Sequence, residues 1–391
     1  MNVDLLRQQT PGCADKLFLN SAGASLMPRP VVAAMTEYLL QEEQLGGYEV
    51  ERRHAAGLQQ LYAELAQLLN AQPRNFAFAW NATDAYSRAL AAIPFRAGDV
   101  ILTTDDDYIS NHIAFLALQK RFGIRVVRAR TQPSGDLDLD DFARLLREHR
   151  PVLVAVTHVP TNSGLVQPVA AVGALCRQHD TWYLVDASQS VGQLEVDVQA
   201  IGCDFLNAPG RKFLRGPRGT GFLYVSDRAL QAGLEPLFID RRGAAWTGAD
   251  AYAVHPDARR FEQQELGGTV LGLMEAVRYA NAVGVRAIAE RNAQLTAHLR
   301  QRLAQLPHLR LLDQGSEQCS LVTFDAPGRA QAELTDWLTA HRVFFTVSLK
   351  SFALLDFSRK QVEWAIRLSP HYFNTVEELD RVVELLAALP A

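Results

Sequence analysis

The sequence predicts an α/β protein: a large domain built on a mostly parallel sheet with helices on both faces, followed by a smaller C-terminal α+β domain. Three observations carry this. Short continuous apolar runs such as 152–156 (VLVAV) and 182–185 (WYLV) have the length and the β-branched or aromatic character of strands buried on both faces. Longer segments of helical spacing lie between such runs, so strand and helix alternate, as a right-handed βαβ crossover requires. From about Leu266 that alternation stops, and a long helical stretch leads into short strands and helices.

The elements follow in order. Segment 58–69 (LQQLYAELAQLL) repeats its apolar residues at helical spacing; 100–103 reads as a strand, 113–122 as a helix and 124–129 as the next strand. Segment 169–179 is the crossover helix between VLVAV and WYLV. The long helical stretch covers 266–306. Strands are expected at 309–312, 320–324, 343–347 and 365–369, with a helix near 331–341. The terminal helix opens on Thr375-Val376-Glu377-Glu378, a capping-box pattern. At 391 residues the chain exceeds one ordinary core. The expected division is an N-terminal segment 1–18 packing on the small domain, a large domain 19–262 and a small domain 263–391.

Composition narrows the partners. A hydrophobic content of 48% with 21% charged residues is that of a soluble globular chain, which argues against disorder or a fibrous class. The net charge of -4, with arginines scattered along the chain, predicts no attraction to nucleic acid or to an anionic membrane, so a small molecule is the expected partner. The first ten residues lack a signal-peptide apolar core and no window has the length of a membrane span, so the expected compartment is the cytoplasm. Cys13, Cys176, Cys203 and Cys319 lie far apart without a C-x-x-C pair and read as reduced, buried thiols. Asn81-Ala82-Thr83 has the form of a glycosylation sequon, which means nothing without secretion.

The chemistry is concentrated where strands end, since an open α/β sheet binds its ligands beyond the carboxyl ends of its strands. WYLV runs into Asp186-Ala187-Ser188-Gln189-Ser190, and twenty-six residues after Asp186 comes Lys212, in a turn dense in glycine and proline, Gly210-Arg211-Lys212-Phe213-Leu214-Arg215-Gly216-Pro217. An aspartate and a lysine at adjacent strand exits suit pyridoxal 5'-phosphate (PLP): the amine forms a Schiff base with the cofactor aldehyde, and the carboxylate keeps the ring nitrogen protonated so that the ring accepts electrons. Trp80-Asn81-Ala82-Thr83-Asp84 lies between a strand and a helix, where free amides and the helix dipole favour a phosphate, with the Thr83 hydroxyl available. Tyr108, after another strand, offers a ring to stack on the cofactor. Arg211 is placed to donate to the phosphate.

These stretches resemble the class V aminotransferases, the PLP fold-type I family that includes cysteine desulfurases, selenocysteine lyases, isopenicillin N epimerase-like proteins and hercynylcysteine sulfoxide lyases. The resemblance spans nearly the whole chain and rests on motifs in family order: Leu19-Asn20-Ser21-Ala22-Gly23, Asn81-Ala82-Thr83-Asp84, Thr157-His158-Val159-Pro160-Thr161-Asn162-Ser163-Gly164, Asp186-Ala187-Ser188-Gln189-Ser190-Val191-Gly192, Gly210-Arg211-Lys212 and Arg367-Leu368-Ser369. It implies a seven-stranded, mostly parallel sheet in the large domain and a homodimer with its active site at the subunit interface. It implies that Lys212 is the Schiff-base lysine and catalytic base, Asp186 the ring-nitrogen partner, Gln189 and Thr161 contacts of the ring hydroxyl, and Ala82, Thr83 and Arg211 the phosphate site, with Tyr108 stacked on the ring. Arg367 falls where the family holds the substrate α-carboxylate, so amino acids are the implied substrates; Ala22, Gly23 and Tyr48 of Gly46-Gly47-Tyr48 are the further substrate-side candidates.

Departures from the family shape the expected reaction. Desulfurases carry a nucleophilic cysteine in a loop before the carboxylate arginine; here 343–364 contains no cysteine. The desulfurase histidines beside the lysine and over the cofactor are Arg211 and Tyr108. A PLP-dependent C–S lyase is therefore the expected function, with transamination, epimerisation or a catalytically silent cofactor-binding module as alternatives. The threonine that the family places near 261–265 to reach the phosphate across the dimer has no equivalent in Phe261-Glu262-Gln263-Gln264-Glu265. His158 reads as a structural hydrogen-bonding residue. Asp105-Asp106-Asp107 reads as a solvated strand exit rather than a metal site, and no metal is expected. Gly216-Pro217-Arg218-Gly219-Thr220-Gly221 lacks the order of a nucleotide loop and reads as a tight turn after the lysine.

Overall fold

The computed structural model describes residues 1–263 and 266–389. Its apolar runs form seven strands, β1 (Phe76–Ala79), β2 (Val100–Thr104), β3 (Arg125–Ala129), β4 (Leu153–Thr157), β5 (Trp182–Asp186), β6 (Phe205–Pro209) and β7 (Gly221–Val225), in the spatial order β1-β7-β6-β5-β4-β2-β3. Only β7 runs antiparallel to its neighbours. The runs are continuously apolar because both faces of the sheet are covered. Val154, Val156, Val185 and Leu206 enter one core with Leu61 and Leu65, while Leu153, Ala155, Leu184 and Phe205 enter a second with Ala85, Ala89 and Phe115. Each such Val, Leu or Phe side chain, taken fully out of water, contributes roughly 1.5–3 kcal/mol, so a single polar substitution in β4 or β5 costs one core or the other.

Helices α1 (Arg29–Leu45) and α2 (Gly47–Leu69) precede the sheet, α3 (Ala82–Ala91) follows β1, and α4 (Ile109–Phe122) follows β2. The expected helix 266–306 is two, α5 (Gly268–Val283) and α6 (Val285–Leu303), because Gly284 adopts φ +89°, outside helical space for an L residue. The break divides their loyalties: Val270, Leu273 and Val277 of α5 pack into the large-sheet core, whereas Leu295, Leu299 and Leu303 of α6 pack with the C-terminal strands.

Those strands, β8 (Arg310–Leu311), β9 (Val322–Asp325), β10 (Thr346–Leu349) and β11 (Trp364–Leu368), form an antiparallel sheet in the order β8-β9-β11-β10. The expected strand 343–347 divides as well. Val343 and Phe344 pair with Leu17 and Phe18 of the N-terminal segment, and only the residues from Thr346 onward join β11. The terminal helix α7 (Val376–Ala387) starts with the reciprocal Thr375 and Glu378 capping bonds, a device worth about 1 kcal/mol.

The topology decides where function can sit. The parallel strands deliver the segments after β1, β2, β4, β5 and β6 to one edge, and β7, being reversed, starts at that same edge. At Gly192, φ +92° would strain any side chain, and a Cβ would stand 2.5 Å from the Phe213 carbonyl carbon and 2.6 Å from Leu214 N. The turn after β5 can therefore lie against the backbone of the Lys212 turn only with glycine there.

Candidate active site

Residues from five of these strand exits and from the start of β7 line one cavity of about 270 Å³ at that edge, among them Thr83, Tyr108, Asp186, Gln189, Arg211 and Lys212. Asp186 is the last residue of β5, in register with Thr157 of β4 and Asn207 of β6. Its Oδ1 accepts from Ser188 N (2.9 Å) and Asn207 Nδ2 (3.2 Å), and its Oδ2 accepts from Asn111 Nδ2 (3.1 Å). The buried carboxylate is thus fixed from three elements. Lys212, three residues beyond the end of β6, is 8% exposed. Its amine forms no ion pair or hydrogen bond among the described residues. Burial, then the charges of Arg211 and Arg367, lower its pKa to about 7, against the opposing pull of Asp186. A large neutral fraction of this amine is present near neutral pH, so it is a competent nucleophile and base.

The turn that holds Lys212 is anchored from both sides. Arg215 N donates to the Lys212 carbonyl (2.9 Å). The fully buried guanidinium of Arg215 donates to Leu26 O, Tyr372 Oη and Thr10 Oγ1 and lies over the rings of Tyr372 and Phe373. His371, kept neutral by burial and by the charge of Arg215, donates from Nε2 to the Phe213 carbonyl (2.9 Å).

A cationic side faces this lysine. Arg367 of β11 is 4% exposed, pairs with no carboxylate among the described residues, and leaves its Nε without a partner. Its Nη1 donates to the Thr161 carbonyl (2.7 Å) and hydroxyl (2.8 Å). Burial, reinforced by the charge of Arg211, brings its pKa down to about 10. A buried, unpaired guanidinium is expensive and is relieved by an incoming anion. Gln189 Nε2 donates to Thr161 Oγ1 (3.0 Å) and to the Ala22 carbonyl (3.2 Å), and its Oε1 is buried without a partner. Thr161, which lines the cavity, therefore joins Gln189 on its wall to Arg367, which stands behind Thr161 rather than among the lining residues. At the opposite end, Asn81 caps α3 by accepting from Asp84 N, which leaves the amides of Ala82 and Thr83 with no intrahelical acceptor. A Cβ at Gly221 would come within 3.0 Å of Asn81 C and 3.2 Å of Ala82 N, so the start of β7 closes tightly on that helix end.

A family profile for aminotransferase class-V matches residues 17–382. The chain belongs to that family. A probable cysteine desulfurase of Methanothermobacter thermautotrophicus is 29% identical over 394 residues, covering 99% of this chain and 98% of that protein. The isopenicillin N epimerase of Streptomyces clavuligerus is 28% identical over 360 residues, with 86% of each chain covered. Among solved structures, a lysine mutant of C-DES with glycine covalently linked to its PLP cofactor superposes with a TM-score of 0.86 at 25% identity, over 98% of this chain and 99% of that one.

This class-V protein is a PLP-dependent enzyme of fold type I, and its cavity fits that cofactor: a buried unpaired amine, a buried carboxylate held by three donors, a ring at Tyr108, and uncapped amides beside a cation at Arg211. In the class-V enzyme the 157–164 loop has an unambiguous register, since Thr161 lines the cavity while Asn162 Nδ2 donates to Asp356 Oδ2 (2.6 Å). Several expectations need correction. Asp106 and Asp107 are not a solvated strand exit. Both are buried, Asp106 against Arg359 (3.3 Å) and Asp107 among the donors of Thr103, Thr157, Tyr108 and Asn111. The segment 216–221 is more than a turn, because Arg218, Gly219 and Thr220 line the cavity. His158 leaves its Nδ1 buried without a partner, and burial lowers its pKa to about 4. Tyr48 is not brought to this cavity. It is 77% exposed near the start of α2 and lines a separate cavity with Arg241, His255 and Arg259. Ala22 and Gly23 lie in the short helix Ser21–Ala24, whose Ala22 carbonyl accepts from Gln189 Nε2, and neither is among the residues that line the cavity.

Sequence reasoning missed Asn111, Asn207 and Trp80. Asn111 follows Tyr108, the N-cap of α4, by three residues, so both stand at the start of that helix; that spacing was the available signal. Of the segment 261–265, Gln264 and Glu265 lie outside the described residues. Glu262 is buried and accepts from Tyr62 Oη, Phe78 N and Arg242 Nε. Among the described residues no helix is long and apolar enough to cross a membrane.

Proposed function

We propose that this class-V enzyme is a C–S lyase that cleaves the Cβ–S bond of a cysteine derivative or cysteine sulfoxide without an enzyme thiol as sulfur acceptor. The observation that carries the proposal is the state of the cysteines and of the interval 343–364. That interval contains no cysteine, and its helix Leu354–Lys360 is bound down through Asp356, which accepts from Asn162 and pairs with Arg359 (2.5 Å) and Lys360 (2.9 Å). The four cysteines are buried, and burial pushes the thiols of Cys176 and Cys319 up to about 12, so they are not thiolates near neutral pH.

When bound, PLP supplies an electron sink for a carbanion at the substrate Cα. The chain supplies the rest. Arg367 binds and orients the α-carboxylate as a bidentate donor, and its lack of another anion supports this role. Asp186 would hold the ring nitrogen, and Gln189 and Thr161 would contact the ring hydroxyl. Ala82, Thr83 and Arg211 would receive the phosphate, and Tyr108 would pack against the ring. Lys212 Nζ, neutral in large part near pH 7, would take the Cα proton. Loss of the thiolate or sulfenate from Cβ then gives, after water is added, one pyruvate and one ammonia for each sulfur product released.

The test is product analysis with cysteine, its S-alkyl derivatives and its sulfoxides. Pyruvate and ammonia in equal amounts are expected. Alanine formed together with sulfur bound to the protein would overturn the lyase in favour of a desulfurase. Amino-group transfer to a keto acid, or racemised substrate without pyruvate, would do so in favour of the other two fates.

We also infer a homodimer. Leu237, Phe238, Trp246 and Tyr252 are exposed together beside the hairpin Ala244–Gly248 and Ala251–Val254, an apolar surface of the kind that a second copy covers. Light scattering is expected to give twice the chain mass of 43.3 kDa, with Trp246→Glu shifting the protein toward monomer. A fully active wild-type monomer would overturn the inference.

A further inference from the structure

We propose that Asp107 is a positioning residue that acts on Asp186 through Asn111; the proposal rests on the reading of the cavity as a PLP site. Asp107 is 4% exposed and lies behind the cavity wall, at the exit of β2. Three elements converge on it. Thr103 Oγ1 of β2 donates to its Oδ2 (3.1 Å). Thr157 Oγ1 at the end of β4 donates to its Oδ1, which also accepts from Tyr108 N (2.6 Å) and from Asn111 Nδ2 (2.9 Å) at the start of α4. A carboxylate that only helped to start α4 would be satisfied locally, whereas this one is tied across the sheet edge.

The consequence lies in the bonds of Asp186. Its Oδ1 has two donors, Ser188 N and Asn207 Nδ2, but its Oδ2 has only Asn111 Nδ2 among the described residues. One amide group thus bridges two buried carboxylates, and Asp107 sets the orientation of that amide. The same Oδ1 holds the backbone N–H of Tyr108, so one group fixes both the residue at the ring face and the residue at the ring nitrogen. The other titratable groups around Asp107 are His112 on α4, whose charge would stabilise the carboxylate, Asp186, whose charge opposes it, and Tyr86 on α3. Asp107→Asn leaves one oxygen for Tyr108 N, Thr157 and Asn111 and turns its NH2 toward the Thr103 hydroxyl, so the bond that orients Asn111 loses its charge assistance and Asp186 Oδ2 is left with a weakly held partner.

The experiment is a double-mutant cycle on Asp107→Asn and Asn111→Ala. It reads two quantities in the PLP-loaded protein, the dissociation constant for PLP and the pH at which the visible band of the bound cofactor is lost. Each single variant is expected to weaken PLP binding about ten-fold and to move the pH midpoint by about one unit. The double variant is expected to resemble Asn111→Ala, because Asp107 works through that residue. Wild-type affinity and midpoint in Asp107→Asn, or effects that simply multiply in the double variant, would overturn the proposal. Should Asp107→Asn fail to fold by circular dichroism, Asn111→Ala and Thr157→Val take its place. Both must then move the midpoint in the same direction, and an unmoved midpoint in either overturns the proposal. A wild-type protein that takes up no PLP through Lys212 would overturn the cofactor reading and this inference together, whereas normal uptake with unaffected variants overturns this inference alone.

Discussion

Lys212→Ala is expected to remove the visible absorbance band of the PLP-loaded protein and to lower turnover by on the order of 10⁴-fold or more, while circular dichroism stays unchanged. The size follows from the cavity. Among the described residues no other lysine lines it, so no second amine is at hand to replace this one as nucleophile and base. The same substitution has a second signature in the protein without cofactor. The Lys212 pKa falls from 10.5 in the unfolded chain to about 7 in the fold, so the unfolded state binds more protons between those values. Its cost to stability is therefore full below about pH 7 and is relieved as the pH rises toward 10.5. Urea titrations of wild type against Lys212→Ala should show a rise in stability with pH across that window in the wild type only. A mutant that keeps the visible band would remove Lys212 from its role.

Asp186→Ala is expected to lower turnover by about 10³-fold while leaving Lys212 able to bind the cofactor, so that the visible band persists with an altered wavelength and pH dependence. Among the described residues the carboxylate is the one acidic group on the cavity wall, and its position is over-determined by Ser188 N, Asn207 and Asn111. Removing it leaves those donors facing a void, at a cost of about 1–3 kcal/mol for each one that finds no water. Single-turnover measurements separate the two effects: loss of the ring-nitrogen partner slows proton removal from the substrate, whereas loss of packing alone would weaken binding and leave that step near its wild-type rate. Wild-type turnover in Asp186→Ala would contradict the assignment.

Much of this arrangement is legible in the sequence because the relevant signals are local. The runs VLVAV and WYLV are apolar on both faces, and that pattern suffices for buried parallel strands. A carboxylate at the end of one such strand and a lysine after the next place two complementary groups on one edge of a sheet. Class-V membership follows from short motifs whose order is itself sequence information. Helix α7 announces its first residue through Thr375 and Glu378.

What the tertiary structure alone decided depends on approach between distant segments, which no local pattern encodes. Asp105, Asp106 and Asp107 look alike in a polar run, yet Asp107 is drawn under the cavity because Thr157, fifty residues later, ends the adjacent strand beside it. Asn111 and Asn207 carry no motif, but the parallel register of β5 with β6 and the start of α4 bring both amides onto Asp186. Tyr48 carries a suggestive Gly-Gly-Tyr, and the course of α2 sends it elsewhere. Arg367 acquires its character from burial opposite Thr161 without a carboxylate partner among the described residues, a property of how β11 meets the 157–164 loop and not of the residues around it in the chain. The sequence by itself determined which chemistry-bearing residues stand at strand ends, because strand length and polarity are short-range. The tertiary structure decided which of them meet, because that depends on register and packing across segments up to a few hundred residues apart.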